Sequence, residues 1–519
     1  MHKVELEFKR IQTYLFSSPR LKAMLGANAA LGQTIRTRLP EIAKNCGAQA
    51  DPKVLEKMPQ GHPDDPLPAQ TNGLLIDDPQ RLYREYGVLV RDGGHFIATF
   101  PSPEQGRAFI EQANHCITET LPGILIEARL DGDKPTQAEQ PNASLQAGES
   151  LFQHPAFQVS QHLGNRPAKE RSRGAKAAFV SAEEAQMEER GSKFRDNPRD
   201  LIALLENSRA IPCPDESPES LDQVTQGDYL ALVHADGNGI GKRYQAWRKK
   251  SNCQDKADLA LEAHGEHFFH SMRVAVRKGL TTALNEVFKG APKNYQLLML
   301  GGDDLLLVCS ARHALRFVCA YAKALQDLPL SDEEPLSIGA GVVIAKGTFP
   351  FHRLHATAEA LADSAKQRYR ADPQLGSVVD WHVTSSSWLE DPLAERRADS
   401  LAGHAVLSNK PYPVLGPLSL STLLEQAGKL AQASTVARSQ LRNLVEVMRQ
   451  GPNLAELAML ELPTDMRSAL RGVLQSLGYG DQLFKAAGDS GWQISVVPDL
   501  VELLEIDRRT GHRNQEDAI

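Results

Sequence analysis

Nine residues of this chain have types and spacing that could do chemistry together: Asp236, Gly237, Asn238 and Gly239; Gly301, Gly302, Asp303 and Asp304; and Lys366. Carboxylates are hard oxygen donors that favour Mg²⁺ or Mn²⁺, usually held together with substrate phosphates. Two such ions can activate an attacking hydroxyl and stabilise the leaving oxygen in phosphoryl transfer. Asp236, Asp303 and Asp304 are therefore the candidate catalytic and metal-binding residues. Gathered at one place they would repel one another unless cations or protons offset their charge. Gly237, Gly239 and Gly241 would let backbone N–H groups approach a triphosphate closely. Gly301 and Gly302 would keep the hairpin open to a nucleotide, and Lys366 could neutralise its phosphates. Asn238, in the same glycine loop, is a further candidate nucleotide contact. Taken singly, Gly-Gly-Asp-Asp is an ordinary hairpin turn and a helix lysine is ordinarily a solvated side chain. Their combination in one unit carries the reading.

Those residues need a scaffold, and the surrounding pattern supplies one. YLALVHA (229–235) reads as a buried strand broken by DGNGIG, and residues 256–287 have helical periodicity. YQLLMLGGDDLLLVCS (295–310) is two apolar runs around a glycine turn, the sequence form of a β-hairpin. A helix (311–328), a strand (337–345), a helix (352–370) and a last strand (377–383) follow. The order β-α-β-β-α-β is the ferredoxin-like unit with one further helix and strand, and strand one of such a unit lies beside the hairpin. Asp236 and the Asp303–Asp304 pair would thus meet at one sheet edge. Residues 1–130 repeat the order: HKVELEFK, a helix over 19–39, EYGVLVRDGGHFIATF around a second glycine turn, a helix, and GILIEARL. The turn of this first copy is Asp92, Gly93, Gly94, His95, without an acidic pair. The expectation is a tandem repeat with one equipped and one silent copy, in which Asp92 is dispensable for turnover.

The 519 residues give a prior of about three to four domains. The expected fold class is α+β, with two ferredoxin-like, palm-type domains and a helical C-terminal domain. The expected division is residues 1–150 for the silent unit and linker, 151–226 for a charged helical linker, 227–390 for the equipped unit, and 391–519 for the helical end, where Leu-spaced runs stop at Gly or Pro. Lys+Arg 58 against Asp+Glu 65 gives a net charge of −7, so nucleic-acid contact would need a local patch. No run reaches the ~18 apolar residues of a membrane helix. Six scattered cysteines without a C-x-x-C pair fit reduced thiols of the cytoplasm rather than a disulfide framework or zinc finger.

HADGNGIGK, MLGGDDLLLV, SIGAGVVIA followed by a Pro-Phe turn, and AEALADSAK together resemble the second palm domain of the large polymerase-cyclase subunit of type III CRISPR effector complexes, Csm/Cmr type, a domain related to GGDEF diguanylate cyclases. KRIQTYLFSSPRLKAMLGANAALGQ is similar to the start of that family's silent first palm, and SNKPYPVLGPLSLSTLLEQ onward to its helical C-terminal domain. The resemblance implies an antiviral nucleotidyltransferase that converts ATP to cyclic oligoadenylate, with RNA and other effector-complex subunits as partners. It implies metal binding by Asp236, Asp303 and Asp304, and triphosphate contact by Lys366. Many members carry an HD nuclease domain and a Cys-rich zinc module; this sequence starts at the first palm, and QHLGNRPAKER (161–171) has no cysteine, so neither DNase activity nor zinc is expected. A non-catalytic RNA-binding scaffold and a diguanylate-cyclase-like enzyme are the alternatives, the latter disfavoured by GGDD in place of GGDEF.

Two weaker patterns remain. His264, His267 and His270 recur every three residues along one helix face, which suits a polar face better than a metal site without a carboxylate. KRYQAWRKK (242–250) interleaves aromatics with basic residues, a composition suited to RNA or nucleotide phosphates, though a solvated loop has it too.

Overall fold

The computed structural model describes residues 1–18, 20–69, 76–133, 136–137, 168, 170–171, 179–193, 196, 200–215, 218, 220–225, 229–250, 259–384, 392–432, 438–486 and 491–509. The first unit runs β1 (His2–Lys9), α1 (Ile11–Leu15), α2 (Leu21–Gln33), a π-helical turn (Thr34–Arg38), α3 (Leu39–Asn45), α4 (Pro52–Leu55), α5 (Pro79–Tyr86), β2 (Val88–Val90), β3 (His95–Phe100), α6 (Pro103–Thr120), β4 (Leu125–Leu130) and β5 (Thr136–Gln137). Its sheet order is β2-β3-β1-β4-β5, with every pairing antiparallel, as the ferredoxin-like order requires. Local signals set the element ends. Asp78 caps α5 by accepting from the Arg81 N–H, Pro79 opens it, and Gly87 closes it at φ 63°. Ser102 and Pro103 start α6 in the same way.

Between the units lie β6 (Glu170–Arg171), β7 (Phe179–Val180), α7 (Ala182–Ser192), α8 (Leu201–Asn207) and α9 (Leu221–Thr225). Helix α7 packs backbone to backbone on α2: a Cβ on Gly26 would stand 1.7 Å from the Met187 carbonyl oxygen, and one on Gly191 would stand 1.7 Å from that of Lys22. Only glycine fits at either crossing point.

The second unit comprises β8 (Tyr229–Gly237), α10 (Ile240–Lys249), α11 (Leu259–Phe288), β9 (Tyr295–Gly301), β10 (Asp304–Ser310), α12 (Ala311–Gln326), β11 (Ile338–Lys346), α13 (Phe351–Ala371) and β12 (Val378–Val383). After α14 (Pro392–Asp399), β13 (Leu401–Ala402) and β14 (Ala405–Val406), β15 (Tyr412–Pro413) joins the same sheet, in the order β15-β12-β11-β8-β10-β9. The hairpin β9–β10 and strands β8 and β11 form the four-stranded ferredoxin-like core. The further strand β12 runs parallel to β11 through the crossover helix α13. The chain ends with α15 (Leu420–Gln432), α16 (Arg438–Met448), α17 (Pro452–Glu461), α18 (Thr464–Ser476), β16 (Lys485–Ala486), β17 (Gln493–Ile494) and α19 (Val497–Arg509). This end is mostly helical as expected, with a small sheet β13-β14-β17-β16 that the sequence reading did not foresee. Helix α17 leaves Leu454, Leu457 and Leu460 exposed.

One apolar core runs from Val4 and Leu6 of β1 through Leu230–Val233 of β8 to Leu500 and Leu504 of α19. Where α11 meets the first unit, Ala263 joins a small apolar cluster with Val54, Met58, Tyr83, Leu89 and Ile97, and a cluster of charges lies alongside. Arg273 binds Asp77 at 3.1 and 3.2 Å and Glu266 at 2.7 Å; Arg277 binds Asp65 at 2.9 and 2.5 Å and Asp77 at 2.7 Å. Every one of these side chains is buried. Burial opposes ionisation of Asp77, yet Arg273 and Arg277 hold its carboxyl well below the usual range. No described helix is long and apolar enough to cross a membrane.

Candidate active site at the edge of the second sheet

Strand β8 lies between β10 and β11, with Ala235 opposite Leu305 on one side and Asp236 opposite Gly339 on the other. Residues 230–235 are buried, and Asp236 is the first side chain to emerge. The hairpin turns at Gly302 and Asp303, with Gly301 facing Asp304. Gly302 has φ 57°, and a hairpin with its left-handed residue at the first central position favours glycine there. This register sets the Asp303–Asp304 pair beside the end of β8.

The side chains meet as follows. The Asp303 carboxylate lies against Gly237: a Cβ there would stand 2.8 Å from Asp303 Oδ2. Burial raises the Asp303 pKa, opposed by its own N–H and that of Gly237. Asp304 is pushed up to about 7, by burial first, then by the charges of Asp303 and Glu359, against a hydrogen bond from Gln12. Lys366, on α13, pairs with Asp236. Burial and then Arg370 bring the Lys366 ammonium down to about 8. The Lys366 stem crosses β11 at Gly339, where a Cβ would stand 2.5 Å from its Cγ. Gly239, at φ 67°, is the N-cap of α10 and leaves that helix start without a capping side chain. Gly301 is exposed beside the turn.

Asn238 is held through its N–H groups, while its Oδ1 is buried without a hydrogen-bond partner. It is buried, its amide donates to Ser337 Oγ and the Gly376 carbonyl at 3.3 Å each, and its own N–H bonds the Ser337 carbonyl at 2.8 Å. These bonds tie the glycine loop to the segments flanking β11 and β12. Among the described residues no three His, Cys, Asp or Glu side chains form a group that could hold a metal ion. Asp236, Asp303 and Asp304 share the edge, but here Lys366 answers one carboxylate and the Gly237 N–H another.

Sequence reasoning missed a second ring of residues. His234 Nε2 lies 4.0 Å from Asp304 Oδ1, and both nitrogens of this buried ring lack a hydrogen-bond partner. Burial, then His355 and Lys366, bring His234 down to about 4, so it is neutral. The His355 ring stacks on His234 at 6.1 Å, and its Nδ1 faces Glu359 at 3.5 Å. His234 sits inside the quoted HADGNGIG run, and Gln12 inside KRIQTYLF, but nothing in either run signals the contact.

The weaker patterns resolve into packing. His264 Nε2 bonds the Trp247 carbonyl at 3.1 Å, His267 Nε2 that of Lys57 at 2.9 Å, and His270 Nε2 that of Asp77 at 3.2 Å. Both aromatics of KRYQAWRKK face α11: Trp247 stacks on His264 at 4.5 Å and Tyr244 on Phe269 at 4.6 Å. Arg243 bonds both Asp332 oxygens, at 2.9 and 2.7 Å. One side of each ring is thereby occupied, and Lys242, Lys249 and Lys250 remain at the surface. Most of QHLGNRPAKER, on which the absence of zinc was expected, lies outside the described residues.

Residues 229–372 match the family model described as Cas10/Cmr2, second palm domain. No curated protein matches the chain. Among solved structures, Csm1 in T. onnurineus is 13% identical and aligns over 99% of this chain and 69% of its own, with a TM-score of 0.49. A Csm1–Csm4 cassette in complex with one ATP is 11% identical over 98% and 70%, with a TM-score of 0.47. A Csm1–Csm4 cassette in complex with cA4 is 11% identical over 93% and 69%, with a TM-score of 0.39.

Proposed function

With residues 229–372 matching a Cas10/Cmr2 second palm domain, we propose that this sheet edge joins adenosine nucleotides. The 3′-hydroxyl oxygen of one ATP attacks the α-phosphorus of another. The new P–O bond forms as the hydroxyl proton leaves, and the bond to pyrophosphate breaks. Repetition and ring closure yield cyclic oligoadenylate. The observation that carries this reading is the meeting of carboxylates from two strands, with Asp303 lying against the glycine that follows Asp236 and with Lys366 within reach.

The donor set suits Mg²⁺ or Mn²⁺. Asp303 and Asp304 are neighbouring, partly buried carboxylates whose proton affinity is raised by burial and, at Asp304, by the charges of Asp303 and Glu359, and a hard divalent ion would supply an opposing charge. Asp303 and Asp236 would hold the metal, with Asp304 assisting. When bound, the ions lower the pKa of the attacking hydroxyl and stabilise the leaving oxygen. The chain's own groups bind and orient. Gly237 and Gly239 bring backbone N–H groups and the start of α10 towards the phosphates. Asn238 fixes that loop, Gly301 and Gly302 leave room at the turn, and Lys366 moves from Asp236 to the departing pyrophosphate. The chain would work in the cytoplasm as the large subunit of an RNA-guided effector complex.

The test is incubation of the full chain with Mn²⁺ and either ATP or GTP, with products separated by chromatography. Oligoadenylates from ATP are expected. Asp303→Asn with Asp304→Asn should keep the fold, since Asn also suits a tight turn, and lower turnover by about 10²-fold or more. Products from GTP alone would favour the diguanylate-cyclase-like reading. Divalent-dependent ATP binding that survives the double substitution, with no product from the unmodified chain, would favour a nucleotide-holding scaffold.

A further inference from the structure

We propose that His234, on β8, is a positioning residue for the second unit's chemistry, its fixed ring setting where the Asp304 carboxylate lies. The kinetic consequence of this inference rests on the nucleotidyltransferase reading; its geometry does not.

His234 stands two residues before Asp236 on β8, so both side chains leave the same face of the sheet. Its neighbours in the register are Leu306 on β10 and Gly341 on β11. Gly341 lets α13 settle onto the sheet, its Cβ position only 2.0 Å from the Ala358 carbonyl oxygen. That approach brings the His355 ring of α13 onto His234, with centroids 6.1 Å apart. Phe16, from the first unit, packs in turn on His355 at 4.7 Å. A line of ring contacts thus runs from the first unit to His234, whose Nε2 lies 4.0 Å from Asp304 Oδ1. His355 faces a carboxylate of its own, Glu359 Oε2, at 3.5 Å from Nδ1.

The polar accounting explains why an imidazole should stand there. Neither nitrogen of His234 has a hydrogen-bond partner among the described residues, although the residue is only 6% exposed. A buried polar group left unpaired costs about 1–3 kcal/mol, a cost that an apolar ring of the same shape would not carry. The Asp304 side chain is 36% exposed against 8% for His234, so the carboxylate is the partner with room to move. A turn of Asp304 by about an ångström would bring the pair to the ~2.9 Å of a hydrogen bond. Such bonds are often long at an unloaded site and tighten when it is filled. A neutral imidazole N–H orients a carboxylate without adding a charge that competes for a cation. Hydrogen-bonded partners of this kind fix the carboxylates that hold metals.

The test uses the full chain with His234→Phe, which keeps a ring against His355 and removes both nitrogens. Beside it stands His234→Gln, whose amide N–H has nearly the reach of Nε2. His234→Phe should hold or raise the thermal midpoint, since it removes an unpaired buried group. It should nevertheless weaken Mn²⁺ binding about 10-fold, read by electron paramagnetic resonance without nucleotide. Turnover should lose about 10-fold in kcat with KM for ATP nearly unchanged. His234→Gln should recover most of both losses. If the unmodified chain makes no product, yet Mn²⁺ binding weakens in His234→Phe and returns in His234→Gln, the nucleotidyltransferase reading falls and the positioning role stands. Unchanged Mn²⁺ affinity and kcat in His234→Phe would overturn the positioning role. So would losses that come only with a lowered thermal midpoint, losses that His234→Gln does not recover, or an unmodified chain that binds no Mn²⁺.

Discussion

Each aspartate near the two hairpins is answered by a different group, and that difference decides what each substitution does. Asp236 has an ammonium, Asp303 a backbone N–H and Asp304 the His234 ring at 4.0 Å. Asp92, at the glycine turn of the first unit, has two guanidinium groups: Arg36 at 2.5 Å and Arg273 at 3.5 Å. The sequence marks Asp92 as dispensable, since no acidic neighbour accompanies it. The structure gives it a different task, because it is mostly buried and its loss leaves arginine charge without a partner. Asp92→Ala should therefore destabilise the chain by about 3–5 kcal/mol, measured by denaturant unfolding, and Asp92→Asn by less. An Asp92→Ala protein of normal stability would show that the charge cluster contributes nothing. Chemistry-bearing types at short spacing, such as GGDD and DGNGIG, were legible because one turn contains them. Gln12, His234 and the carbonyl partners of the three histidines were not, because any peptide can present a carbonyl and only tertiary packing selects which one.

Elements set how closely these residues approach. Helix α13 lies on β11 at Gly341, where a Cβ would stand 2.0 Å from the Ala358 carbonyl oxygen and 2.5 Å from the Ala362 N–H nitrogen. Backbone cannot give way as a flexible side chain can. Gly341→Val should lift α13, carrying Lys366 away from Asp236, and lower the thermal midpoint by roughly 5 °C or more; an unchanged midpoint would mean that α13 tolerates displacement. A second consequence follows from the start of α8. Asp200 is buried, caps the helix through the Ala203 N–H at 2.9 Å, and is pushed up to about 6 by burial against those N–H bonds. Its folded pKa exceeds the unfolded value near 3.9, so the folded chain holds the proton more tightly. Stability is thus greatest below that value and declines as pH rises through about 6. Asp200→Asn keeps the cap and should raise the thermal midpoint at pH 7.5 while flattening its profile between pH 4 and 7. A profile as steep as the unmodified one would assign the titration to another group. The strand–helix order was readable because alternation and helical period are local. The small C-terminal sheet was missed because two-residue strands carry no period.

At the scale of the whole molecule the C-terminal segment completes the second unit. Strand β15 pairs Tyr412 with Val379 and Pro413 with Val378, and the Tyr412 ring packs on the fully buried Trp381 at 5.5 Å. Removing residues 405–519 should bare Trp381 and the β12 edge and give an aggregating protein, seen as loss from the soluble fraction and a rise in light scattering. A soluble, monodisperse truncation would show that the core of the second sheet is self-sufficient.

The buried charges between α11 and the first unit bear on how the molecule can move. Arg273 and Arg277 stand on one side of that contact; Asp65, Asp77 and Asp92 stand on the other. Separating the two sides would strand several ions in a low-dielectric seam, at several kcal/mol apiece. The two sheets are therefore not a pair of jaws. Gly239 and Gly301 are exposed on the open rim, where the proposed nucleotides would enter, and a frame locked in this way leaves only small strokes available. A shift of Phe16 against His355 and Phe351 of α13, too slight to change the outline of the protein, is the kind of stroke that such a locked frame still permits.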